Sequence, residues 1–128
     1  MSFCLRGIRG ATTAEANEEQ AILEATGELL QEMVRRNQVE LPDVAGVFFT
    51  VSPDLNATFP ARAARDLGWA AVPLLDSQEV AVPWGMKRCI RILLLVNTSR
   101  TQQEVQHVYL REAAALRPDL GSAAGTSA

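Results

Sequence analysis

The arginines carry the chemistry that this sequence offers. Arg91 stands in MKRCIRILLLVNT, residues 86–98, the longest stretch with strand character. Ile90, Ile92, Leu94 and Val96 fall on one side of a period-two strand, and Arg91, Leu93, Leu95 and Asn97 on the other. A guanidinium is always charged, and placing it in an apolar layer without a partner is costly. The site therefore supplies an anion, either a protein carboxylate or a ligand. Arg9 lies between two glycines in RGIRGAT, where a ligand can come close, although an edge strand with two solvated arginines fits the same residues. Arg62 and Arg65, three apart, share a helical face and serve either as a positive patch or as solvated charge. Cys4 and Cys89 each sit inside a predicted strand, with no CxxC and no nearby His, and read as small buried hydrophobes rather than metal ligands or a disulfide. His107, the single histidine, has no metal-ligating residue types clustered around it in the sequence.

The elements that must position these residues follow from periodicity. Residues 3–11 read as the first strand. Asn17 and Gln20 fit a capping-box spacing with Glu15, Glu18 and Glu19 nearby, so a helix starts there. Ile22, Ala25, Leu29, Met33 and Val34 form its apolar stripe to about residue 36. VAGVFFTV, residues 44–51, is a second strand apolar on both faces, closed by the turn-forming SPDLN. Pro60 suits the first turn of a short helix that Gly68 ends. Residues 72–75 read as a short strand, and Asp76, Glu79 and PWG as an irregular loop before the strand of Arg91. That strand, apolar on both faces, belongs in the middle of a sheet. SRTQQE is turn-like, HVYL at 107–110 strand-like, and REAAAL ambiguous between helix and a short extended or single-turn segment.

Composition sets the bounds. A chain of 128 residues with net charge −3 supports one domain and gives no basic stripe for nucleic acid. No apolar run approaches membrane-spanning length and no signal segment opens the chain, so a cytoplasmic protein is expected, with no membrane partner. Residues 1–120 form the domain. The small-residue stretch GSAAGTSA, 121–128, is expected to be a mobile tail. The fold class is α/β (α+β): a mixed β-sheet covered by one long and one short helix. Two helices do not suffice to shield several strands apolar on both faces, so identical chains are expected to close around the uncovered faces. Clefts between subunits are also natural places for a site.

RGIRGAT, SPDLNATFPARAAR, the QE of DSQEV, KRCIR, and HVYLREAAALRPDL, in that order from residue 6 to residue 120, together resemble the AroH-type chorismate mutases. The resemblance implies a homotrimer whose sheets pack into a pseudo-α/β-barrel with active sites at subunit interfaces. It implies the rearrangement of chorismate to prephenate in phenylalanine and tyrosine biosynthesis, a unimolecular pericyclic step with no cofactor, metal or covalent intermediate. By the same resemblance Arg91 is the cation facing the ether oxygen, where negative charge builds as the bond breaks. Arg9 binds a substrate carboxylate, Tyr109 offers its hydroxyl to a carboxylate, and Glu79 accepts from the ring hydroxyl while orienting Arg91. Phe59, Ala61, Arg62 and Arg65 come from the neighbouring subunit. Leu75 and Asp76 fill positions where the family can place Thr and Cys. A carboxylate facing an anionic substrate repels it, so Asp76 is expected to make contact through its backbone or to turn its side chain toward an Arg. Arg117 is implied to close over the ligand, and Trp69 and Trp84 are expected to pack against loops.

Two other functions compete with this one. A non-catalytic binder of small anionic metabolites on the same trimer would bind a prephenate-like dicarboxylate without turnover. A deaminase of the Rid type would release ammonia from an imine, but HVYL and LRPDL do not resemble that family's motifs.

Overall fold

The computed structural model describes residues 2–116. Five strands, β1 (Cys4–Thr13), β2 (Val44–Val51), β3 (Leu74–Gln78), β4 (Cys89–Thr98) and β5 (Val108–Tyr109), form one sheet in the order β3-β2-β4-β1-β5. The strand of Arg91 is central, as its two apolar faces require. It runs antiparallel to β1 and β2, whereas β3 lies parallel to β2 and β5 parallel to β1, so the sheet is mixed.

One face is covered by α1 (Glu19–Asn37). Leu29, Leu30 and Met33 pack there with Ile8, Val47, Phe49, Ile92, Leu94 and Val108 in the main core. Gly10 lets the helix approach, because a Cβ at that position would stand 2.4 Å from Met33 Sδ and 3.2 Å from Leu29 Cδ1. The short helix α2 (Ala61–Asp66) packs against α1 on the same side, with Ala61 and Ala64 in the core. Gly68 ends that segment with φ +94°, a conformation that glycine adopts at no steric cost.

Among the described residues, the opposite face is left open. Leu5, Phe48, Leu75 and Leu93, which alternate with the core residues along their strands, are exposed by 52, 45, 60 and 36 %. The two-sided apolar pattern therefore describes one face buried by helices and one left without cover.

Several local expectations are corrected. Asn17 forms no capping box, since the residue before α1 is Glu18 with no side-chain cap. The Asn17 carboxamide instead accepts from the backbone N–H groups of Asn56 and Ala57 at 2.9 and 3.1 Å, tying the helix entry to the loop after β2. Strand β3 begins at Leu74 and runs on through Asp76, later than the apolar residues suggested, because Pro73 has no N–H to give a ladder and contributes only its carbonyl, to Val47 N–H at 3.0 Å. REAAAL takes the single-turn form that its length allowed, a short 3-10 segment, Arg111–Ala115. Cys89 is buried but Cys4, at the exposed start of β1, is not. Trp69 joins the core, whereas Trp84 is 84 % exposed. The expectations for Arg117 and for the 121–128 tail fall outside the described residues.

Candidate active site

Strand register assembles the site on the bare face. Residues opposite one another on neighbouring strands point the same way, so Tyr109, Ala11, Arg91, Thr50 and Ser77 form one row across all five strands. The next row, two residues along, carries Arg9, Leu93, Phe48 and Leu75. Strand spacing places the Cα atoms of Tyr109 and Arg91, two strands apart, at roughly 10 Å. The parallel pairing of a two-residue β5 to β1 is thus what brings Tyr109, 18 positions away in sequence, to the Arg91 row.

Glu79 follows β3 directly. Its N–H donates to Val51 O at 2.8 Å, which fixes the backbone beside β2. From there the carboxylate turns over the row: Oε2 lies 3.5 Å from Arg91 Nε and accepts the Thr50 hydroxyl. The Arg91 side chain is still 49 % exposed and that of Glu79 35 %. Arg91 therefore has a protein carboxylate for a partner, the first of the two anions its strand position allowed, and the rest of its side chain faces solvent. Two residues before it on the same strand, burial pushes the Cys89 thiol up, with the Arg91 guanidinium pulling the other way. The thiol is thus a neutral neighbour of the cation at physiological pH.

The edge of β1 is fixed by His107. Its Nδ1 accepts the Arg9 backbone N–H at 2.9 Å, which leaves the ring proton on Nε2. This histidine secures the strand that carries Arg9.

Other candidate residues stand elsewhere in the single chain. Asp76 is paired with Phe49, not with Thr50, and so points to the helix-covered side. There its Oδ1 accepts the Ala61 N–H at 2.9 Å, capping the start of α2. Burial raises its carboxyl above the usual range, while that hydrogen bond and the nearby Arg65 charge oppose the rise. Arg62 reaches Glu19 on α1 at 2.5 Å and Thr58 at 3.2 Å. Ala61 is buried, and Phe59 is 64 % exposed. All four residues of the FPARAAR group, Phe59, Ala61, Arg62 and Arg65, belong to the segment on the helix side of the sheet, so they do not meet the Arg91 of their own chain. Leu75 does share its face.

Sequence reasoning missed Thr50. The signal was present, since Thr50 is the one polar side chain in VAGVFFTV. A cavity of about 220 Å³ opens at the far end of the sheet, among Asn37, Val39, Val96, Thr98 and Arg100. Along β4 the six steps from Arg91 to Asn97 span about 20 Å, so this cavity is separate from the arginine row. Among the described residues no group of three or more His, Cys, Asp or Glu side chains could hold a metal ion. No helix there is long and apolar enough to cross a membrane.

Comparison with known proteins identifies the family of the chain. The family described as chorismate mutase type I matches residues 5–120. The chain is 52 % identical over 120 residues to chorismate mutase AroH of Thermus thermophilus, covering 93 % of this chain and 98 % of that one. It is 44 % identical over 117 residues to chorismate mutase AroH of Bacillus subtilis, covering 91 and 92 %. Among solved structures, a chorismate mutase from Clostridium thermocellum superposes with a TM-score of 0.84 at 41 % identity, over 85 % of this chain and 97 % of that chain. With a family match across nearly its whole length and relatives this similar, the chain belongs to the AroH-type, type I chorismate mutases.

Proposed function

We propose that this chorismate mutase rearranges chorismate to prephenate in a single pericyclic step, with Arg91 as the fixed cation that stabilises the transition state. The observation that carries the reading is the meeting of Arg91 and Glu79 on an open sheet face, with Tyr109 in the same row and Arg9 in the next. As the ether bond breaks ahead of the new carbon–carbon bond, negative charge builds on the ether oxygen. A cation held by the protein at that place lowers the energy of the transition state more than that of the substrate. Arg9 and Tyr109 bind the substrate's carboxylates and hold the compact conformer in which the reacting carbons are near. Glu79 accepts from the ring hydroxyl and keeps Arg91 aimed. Since the rearrangement makes and breaks bonds within one molecule, it asks the protein for no nucleophile, general base, metal or cofactor.

The active unit is a homotrimer in this reading. Its support is the bare face with exposed Leu5, Phe48, Leu75 and Leu93, an apolar surface that a second copy would bury. The neighbouring chain's α2 segment would then close the cleft, Phe59 and Ala61 as apolar walls and Arg62 and Arg65 as positive charge at the mouth. Leu75 and the backbone of Asp76 line the same cleft, and Arg117 closes over the ligand. The work is done in the cytosol, supplying phenylalanine and tyrosine synthesis.

The test is direct. Purified protein is given chorismate without metal or cofactor, and substrate loss and prephenate formation are followed against an uncatalysed control. Accelerated prephenate formation supports the reading. Binding of a prephenate-like dicarboxylate without any acceleration would replace it with the binding-protein alternative.

A further inference from the structure

We infer that Thr50 is a positioning residue for the rearrangement: its hydroxyl fixes the Glu79 carboxylate so that one oxygen faces Arg91 and the other is presented to the substrate. The inference deepens the reading of Glu79 given above and rests on it. Thr50 lies opposite Arg91 on β4 and opposite Ser77 on β3, between the cation and the segment that carries the carboxylate. Its hydroxyl donates to Oε2 of Glu79, the oxygen that also faces Arg91 Nε at 3.5 Å. Both protein donors therefore converge on a single oxygen. No hydrogen bond from the described residues reaches Oε1, which is left as the acceptor for the ring hydroxyl.

The consequence concerns rotation of the carboxylate. A carboxylate beside a guanidinium tends toward the two-pronged arrangement, in which both oxygens take N–H donors. In this site that arrangement would engage donors of Arg91 needed by the ether oxygen and would withdraw the oxygen meant for the substrate. The Thr50 hydroxyl opposes it by holding Oε2 with a second donor. A strand residue whose χ1 is stiff because it is β-branched makes a well-fixed anchor.

The test measures kcat and KM for prephenate formation in Thr50→Val, Thr50→Ser, Glu79→Gln and the Thr50→Val/Glu79→Gln double variant, with thermal unfolding of each. Valine keeps the shape and strand preference of threonine and removes only the hydroxyl. Thr50→Val should lower kcat about tenfold, the effect of losing one hydrogen bond to a charged group, and Thr50→Ser should recover most of the loss. In the Glu79→Gln background the same Val substitution should change kcat less than about twofold, because the group it positions is already altered. Thr50→Ala, which also lacks the hydroxyl, should repeat the pattern if valine disturbs the fold. A loss of equal factor in both backgrounds, or wild-type kcat in folded Thr50→Val, overturns the inference while leaving Glu79 in its role. Wild-type kcat in Glu79→Gln would overturn the role of Glu79 itself, and the inference with it.

Discussion

Arg91 Nε and Glu79 Oε2 stand 3.5 Å apart on a sheet face that neither α1 nor α2 covers. Half-exposed pairs of this kind add little to stability, about 0.2–1 kcal/mol. The pair therefore matters for aim rather than for folding. Glu79→Gln should lower kcat about ten- to a hundredfold, as expected for a weakened hydrogen bond to a charged group, with the urea midpoint nearly unchanged. Paired measurements of turnover and urea unfolding check this, and a drop in stability that matches the drop in rate would count against it.

The α2 segment sits on the helix side of its own chain, and so in the proposed trimer its arginines would serve a neighbour's Arg91 row. Arg91→Ala and Arg65→Ala chains, each nearly inactive, should regain activity when mixed under conditions of subunit exchange. In a random one-to-one mixture about a quarter of shared sites hold both arginines. Activity is assayed alongside mass measurement of the mixed trimers. Confirmed exchange with no regained activity would mean that each site draws on one chain.

Asp76 shows how the helix side bears on pH dependence. Burial raises its carboxyl in the folded chain, whereas an unfolded Asp titrates near pH 3.9. The folded state thus holds this proton to higher pH than the unfolded state does. The contribution of Asp76 to stability is greatest in acid, below the unfolded value, and declines as pH rises through the folded value. Asn keeps an oxygen for the Ala61 N–H but has no charge to desolvate. The stability of Asp76→Asn relative to the parent should therefore rise from pH 4 to pH 7, as read from urea unfolding across that range. A difference that shrinks over the same range would show that the ionised cap is the favoured form.

Gly10 marks where α1 lies closest on β1. A methyl group there meets Met33 Sδ at 2.4 Å, and overpacking of a core costs about 1–3 kcal/mol. Because the thioether can swing aside, Gly10→Ala should sit toward the lower end of that range. A shorter residue at position 33 in the same chain should return part of the loss. Thermal unfolding of the single and double variants decides whether the two changes are coupled.

The central place of β4, the α1 stripe and the extent of β2 were legible because each rests on a long periodic run of apolar residues. Where a single residue overrode the local pattern, the elements shifted. Pro73 delayed β3, and Asn17 spent its hydrogen bonds on Asn56 and Ala57 rather than on its own helix. Arg91, Glu79, Arg9 and Tyr109 were picked out by motif, yet their shared face depends on pairings between distant strands that no local run encodes. Asp76 faces α2 because β3 is in register with Phe49 rather than Thr50 at that point. Thr50 escaped notice for the same reason, since its importance lies in standing between Arg91 and Glu79.

The most direct test of the central claim is turnover of chorismate by Arg91→Ala, with thermal unfolding of the same preparation. The guanidinium is half exposed, so its removal should leave the folded protein nearly as stable as before. Loss of a preorganised group at the developing charge should lower kcat by at least about 10²–10³-fold. A folded variant that turns chorismate over at close to the parent rate would contradict the account.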